Sequence, residues 1–192
     1  MNKTIFKGII MLLAAMMMTG CDSFLDITPT GKVIAKTGKE YRALLTYEYK
    51  NFPEDRGLAT LRGDEITLSK ASTKAEDYDS YFDIWAWNDL SQQSTTVSFG
   101  WRRYYHAIYI ANYIIENKDK ITEATADEIN QLVGEAYMMR AYCHFLLVNL
   151  FAEPYTHCNA ATTRGVPLSL KADVNAVLSC SSVEQVYQQV VD

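Results

Sequence analysis

The stretch from Gly134 to Tyr155, GEAYMMRAYCHFLLVNLFAEPY, is the longest apolar run beyond the leader, and it keeps helical spacing throughout. Ile129, Leu132, Val133, Ala136, Met139, Cys143, Leu146, Leu147 and Leu150 recur at steps of three and four, which sets them on one face of a helix. Upstream, Thr125-Ala126-Asp127-Glu128 has the form of a capping box, in which the threonine and glutamate side chains satisfy backbone donors that a helix start leaves free. The pattern predicts a helix starting near Thr125 and ended by Pro154, which has no amide donor and turns its predecessor away from helix. Between Tyr142 and Phe151 only His144 and Asn149 interrupt the apolar residues. This half is expected to be covered on more than one side, as a central helix is.

A second long helix is written into Trp101, Tyr104, Tyr105, Ile108, Ala111, Asn112 and Ile115, again at steps of three and four. Asn112 is the anomaly: a polar residue on the buried face must find hydrogen bonds, for which a neighbouring backbone is the natural source. Joined through Lys118 to Ala124, the two helices form an antiparallel hairpin. Trp101-x2-Tyr104, Ala141-x3-Phe145 and Pro154 resemble the tetratricopeptide pattern. Trp101 to Ala141 spans more than one 34-residue repeat, so the helices must be extended.

Thr37-Gly38-Lys39-Glu40 is another capping box, followed by Tyr41, Leu44, Leu45 and Glu48 or Tyr49 on a stripe, which predicts a short helix ending before Pro53. From Phe52 to Tyr81 the chain carries Pro53, Gly57, Gly63 and many polar residues, and reads as a long irregular loop. Arg62-Gly63-Asp64 within it matches an adhesion tripeptide, but three residues recur by chance. Ser181-Ser182-Val183-Glu184 is a third capping box, and the stripe Val183, Val186, Tyr187, Val190 stops at Asp192. The expected fold is therefore all-α: tetratricopeptide-like antiparallel helix pairs with a long irregular loop, truncated within a helix whose apolar stripe needs a partner.

Met1 to Gly20 has Lys3 and Lys7, an apolar run from Ile9 to Met18, and small residues before Cys21, the layout of a secretory signal peptide. That run is too short to span a bilayer. Met18-Thr19-Gly20-Cys21 resembles a bacterial lipobox, in which the cysteine is lipidated and becomes the first mature residue. Two or more acyl chains of the palmitate kind hold a protein firmly where one does not. The domain reading is a lipoprotein signal peptide at 1–20, a tether at 21–36 and a helical domain at 37–192. Removal of the first 20 of 192 residues leaves 172, and because Lys3 and Lys7 go with no acid the formal charge moves from −5 to −7. An acidic, aromatic-rich chain with no basic cluster gives no footprint for nucleic acid.

Of the remaining cysteines, Cys143 lies on the apolar face of the central helix and reads as a small buried hydrophobe. Cys158 and Cys180 are left as free thiols or, as the minor alternative, a bridge. His157-Cys158 has no second pair at zinc spacing, so no metal or cofactor is expected. The chain has no HExxH, phosphate-binding glycine loop or Gly-x-Ser-x-Gly, and no pair of carboxylates is marked as a glycosidase couple.

A lipobox followed by Phe24-Leu25-Asp26, then Gly63-Asp64-Glu65, Trp101 to Asn112, Gly134-Glu135-Ala136 with Arg140-Ala141-Tyr142, Phe151 to Tyr155, and Gly165-Val166-Pro167-Leu168 resembles the amino-terminal part of the SusD/RagB family. The resemblance is densest in the central helix, and it departs from the family at Met139, where leucine is common. It implies a non-enzymatic lipoprotein of the Gram-negative outer membrane, surface-exposed, binding an oligosaccharide or peptide nutrient beside a SusC-like TonB-dependent transporter. A lipid-anchored helical-repeat adaptor for protein partners, or a non-functional truncated fragment, is the alternative.

Sugars have apolar faces and hydroxyl rims, so their binders offer a flat ring and an amide or carboxylate. Trp85 and Asn88, supported by Trp87, Tyr81 and Asp64, form the one stretch that supplies both, and the resemblance points to the same region. The competing reading makes these rings loop anchors.

Overall fold

The computed structural model describes residues 34–53, 55–90, 93–97 and 99–192. The expected signal peptide, the lipidation site Cys21 and Phe24-Leu25-Asp26 lie outside the described residues. The chain divides into Met1–Ala35 and Lys36–Asp192, and the fold set out below is that of the second unit.

Two of the three predicted capping boxes start the helices that organise it. Helix α1, Gly38–Lys50, opens at Thr37, whose hydroxyl accepts the Glu40 N–H at 3.3 Å while Glu40 takes the Thr37 N–H at 2.9 Å. The central helix, Ala126–Phe151, opens in the same way at Thr125 and Glu128. Four elements lie between them in the chain: α2, Asp55–Thr60; α3, Ala75–Trp85; α4, Arg102–Glu116; and a 3-10 turn, Lys118–Lys120. With the central helix as α5, the chain continues through a 3-10 turn at Tyr155–His157, strands β1, Arg164–Pro167, and β2, Cys180–Ser182, and ends in α6, Val183–Val191. The described residues are thus mostly helical.

Helices α4 and α5 run antiparallel, the Trp101 ring 4.7 Å from Phe151 at one end and Tyr105 edge-on to His144 further along. Helix α1 lies antiparallel to α4 and also against α5, stacking Tyr41 on Tyr113, pairing buried Glu48 with His106 Nδ1 at 3.0 Å and setting Arg42 and Tyr49 on Glu135 of α5. Leu45, Ile108, Ala111, Ala136 and Leu147 are wholly buried between these helices. Each buried leucine or isoleucine contributes roughly 2 kcal/mol relative to leaving it exposed. Helix α6 packs Val183 and Val186 inward, with Tyr187 edge-on to Phe145 of α5.

A clasp ties the start of α1 to the segment before α5. Thr122 N–H donates to the Lys36 carbonyl at 2.9 Å, Gly38 N–H donates to the Thr122 carbonyl at 2.8 Å, and the Thr122 hydroxyl adds a 3.1 Å bond to Lys36. Gly38 is required here: a Cβ on it would stand 2.6 Å from Ala124 Cβ.

Buried Asn112 is satisfied on both sides. Its amide donates to the Ser169 carbonyl at 2.9 Å and its oxygen accepts from Arg140 Nη1 at 3.0 Å. His144 completes the connection, with Nδ1 2.9 Å from the Arg140 carbonyl and Nε2 accepting the Ser169 N–H at 3.3 Å. With Tyr105 donating to the Pro167 carbonyl at 2.8 Å, the chain after β1 is bound to the hairpin by polar groups set in an apolar core.

The structure departs from the sequence expectations in four places. The stretch Phe52–Tyr81 is not continuous loop, because α2 and most of α3 occupy it. Helix α3 has no side-chain cap; Glu76 and Asp77 in its first turn complement the helix dipole instead. An antiparallel β1–β2 pair, unforeseen, is allowed by Gly165, whose Cα has backbone atoms of Ser181 and Ser182 within about 3.1 Å of any added Cβ. The cap of α6 is Ser182 with Gln185, one residue later than predicted, since this register lets Val183 enter the core. In α5, Cys143, His144 and Leu146 to Val148 are buried but Tyr142 and Phe145 each stay 38% exposed, so cover is less complete than expected.

Cys158 and Cys180 are free thiols, and Cys143 is buried, which pushes its thiol up to about 12. No helix among the described residues is long and apolar enough to cross a membrane, and no cluster of three or more His, Cys, Asp or Glu side chains among them could hold a metal ion.

Candidate functional site

The aromatic stretch predicted to meet ligand falls at the C-terminal end of α3. Along this helix Tyr78 stacks on Phe82 at 5.1 Å and Phe82 lies 6.0 Å from Trp85, as spacings of four and three dictate. Trp85 is half-buried, and its indole N–H donates to the Ile66 carbonyl at 3.1 Å. It pins the segment after α2 onto α3, the work of a loop anchor.

The chain then leaves the helix through a paired reverse bond. Asn88 N–H reaches back to the Asp83 carbonyl at 2.8 Å and Trp87 N–H to the Ile84 carbonyl at 3.2 Å, which is a Schellman motif. That motif needs a left-handed residue at its centre, normally glycine, and here it is Trp87 with φ 56°. A side chain there costs roughly 1–2 kcal/mol, so surrounding contacts must hold it. Those contacts are visible. The Arg62 guanidinium lies 4.8 Å from the Trp87 ring and 5.4 Å from that of Phe99, and it is ion-paired with Asp89. The indole remains 63% exposed, so a broad ring surface is held toward solvent.

Asp83 lies beneath this turn, 2% exposed. Its Oδ2 accepts from the Thr96 hydroxyl at 2.6 Å and the Gln93 N–H at 2.7 Å, and its Oδ1 from the Asn88 amide at 2.9 Å. These bonds, the Thr96 hydroxyl first, then the Gln93 N–H and Asn88, hold the carboxyl below its usual range despite the opposing effect of burial. Asp83 is therefore an anion at neutral pH and draws together chain from Asn88 to Thr96.

The five residues singled out in sequence thus receive different surroundings. Trp85, Trp87 and Asn88 come together at one end of α3; Trp85 and Asn88 are tied to protein partners, while Trp87 faces outward. Tyr81 is half-buried one turn before Trp85, and Asp64 is exposed in the turn after α2. Arg62 and Asp83 escaped sequence reasoning. Asp83 had a signal, an acid between Phe82 and Ile84, and Arg62 sat within the discounted tripeptide. The charge that Arg62 brings beside the Trp87 ring is met by Asp89.

The helical arrangement has the fold of two solved chains described as SusD superfamily proteins. A member from Bacteroides vulgatus superposes over 81% of this chain with a TM-score of 0.67 at 19% identity, and one from Bacteroides thetaiotaomicron over 81% with a TM-score of 0.60 at 23% identity. Residues 24–192 match the family model of SusD-like proteins, described as starch-binding and associating with the outer membrane, and the chain belongs to that family. SusD-like protein P25 of Formosa agariphila is 25% identical over 127 residues, 66% of this chain. The chain spans 24% of the length of P25 and 35% and 36% of the two solved chains.

Proposed function

We propose that this protein binds a neutral glycan at the outer membrane, held there by lipid on Cys21, and delivers it to a SusC-like TonB-dependent transporter without chemical conversion. The observation that carries the reading is Trp87: an indole set in a left-handed backbone position, braced by Arg62 and 63% exposed, in a chain whose family is described as starch-binding. A flat ring of this kind offers its surface to the apolar face of a pyranose, and the exposed Asp89 carboxylate, ion-paired with the Arg62 that braces the ring, can accept from hydroxyl groups. The chain's formal net charge of −5 favours an uncharged sugar over a sulfated or uronic one.

One stacked ring burying roughly 70 Å² of apolar surface is worth about 2 kcal/mol, so this chain should hold an oligosaccharide only in the range of tens of millimolar. Titration of the full chain with maltoheptaose and a panel of neutral and anionic oligosaccharides, followed on the backbone amide resonances, tests it. Trp87→Ala should abolish the response while leaving the helical spectrum unchanged. Equal binding by that variant, or preference for anionic sugars, would remove the reading.

A further inference from the structure

We infer that Asp83 is the positioning residue of the Trp87 platform: it holds the indole in its outward setting without touching ligand. The inference rests on the reading of Trp87 as a sugar platform, but its geometry stands apart from any ligand. Two kinds of bond converge on one residue. The Asp83 carbonyl receives the Asn88 N–H that closes the turn around Trp87, and the Asp83 carboxylate receives the Asn88 amide, the Gln93 N–H and the Thr96 hydroxyl. A left-handed tryptophan persists only where its neighbours over-determine it. Asn88 is the neighbour one residue on, and Asp83 grips it by both backbone and side chain. The carboxylate also anchors Gln93 and Thr96, so the chain cannot draw away from α3 on the far side of the turn. Being 2% exposed, Asp83 is not itself available to a sugar.

The test uses two variants of the full chain. Asp83→Asn presents an amide to groups that are all donors, and Thr96→Val removes one donor while sparing the buried acid. Both should keep the far-ultraviolet helical signal. Each should lower hydrogen-exchange protection of the Gln93 amide about tenfold or more and broaden or shift the Trp87 indole resonance. Affinity for the oligosaccharide the wild type retains should fall about fivefold or more in each, while hydrogen-exchange protection of the Ser169 amide, held by His144 in the core, should stay at its wild-type level. That last result separates positioning from general weakening, which would lower protection in the core as well. Unchanged Gln93 protection and indole resonance in both variants, or an equal loss of protection at the Ser169 amide, overturns the inference. If the wild type retains no oligosaccharide, the reading of Trp87 as a sugar platform falls. The exchange and resonance measurements then decide by themselves whether Asp83 positions that ring.

Discussion

His144 should make this protein lose stability on mild acidification, in a pH range where its carboxylates do not. The imidazole is 1% exposed, and its two nitrogens are assigned by their partners: Nδ1 donates to the Arg140 carbonyl at 2.9 Å and Nε2 accepts the Ser169 N–H at 3.3 Å. A proton added at Nε2 would face another N–H and place a buried charge near the Arg140 guanidinium. Burial first, and that neighbouring charge, lower the pKa of His144 from 6.5 to about 4, against the opposing bond to the Arg140 carbonyl. Between those values the unfolded chain binds a proton the folded chain refuses, so folding free energy falls as pH falls. The full contribution is present above about pH 6.5, erodes by about 1.4 kcal/mol per pH unit, and amounts to roughly 3 kcal/mol by pH 4. Glu40, Glu128 and Glu135, each held below its ordinary 4.5, lose their contributions only at lower pH. Urea unfolding of the wild type and of His144→Gln from pH 7 to 4.5 isolates the effect: the variant is less stable at pH 7, and the gap narrows with acid. Parallel stability curves across that range, or an NMR titration placing His144 at 6 or above, would refute the reasoning.

Asn112→Leu should cost about 2–4 kcal/mol in urea unfolding, because it strips partners from the Ser169 carbonyl and the half-buried Arg140 guanidinium; a loss below 1 kcal/mol would mean water replaces the amide. Trp87→Gly should be more stable than Trp87→Ala by about 1 kcal/mol, since both lack the ring and only glycine accepts φ 56° without strain. Equal thermal midpoints for the pair would show that the turn relaxes. Cys21→Ala should move the protein from the membrane to the soluble fraction of the expressing cell, and continued membrane retention without a transporter partner would argue against the anchor.

Local chemistry made much of this architecture legible before any coordinates. Thr37 and Thr125 with their glutamates mark the starts of α1 and α5 because a capping box is complete within four residues. Asn112 announced a polar bond in the core, although its partners, Arg140 and Ser169, are distant in sequence and could not be read. Helix α3 was hidden for a different reason. Its Tyr78, Phe82 and Trp85 have helical spacing, but Lys74 supplies no cap and the segment before it is polar. At the candidate site the sequence located the aromatic stretch without sorting its members. Trp85 and Trp87 differ by two residues, and only the turn between them decides that one indole is pinned to Ile66 and the other faces outward. Asp83 and Arg62 matter through contacts with Thr96, Asp89 and Phe99, which no local pattern encodes.

The clasp at Lys36, Gly38 and Thr122 has a mechanical meaning. Any pull applied through the chain ahead of Lys36 meets these hydrogen bonds before it can unwind α1. Thr122 lies three residues before the threonine that caps α5, so the load passes sideways into the longest helix rather than peeling the shortest path of chain from the surface. A domain towed by its leading end would take up the strain across two helices at once.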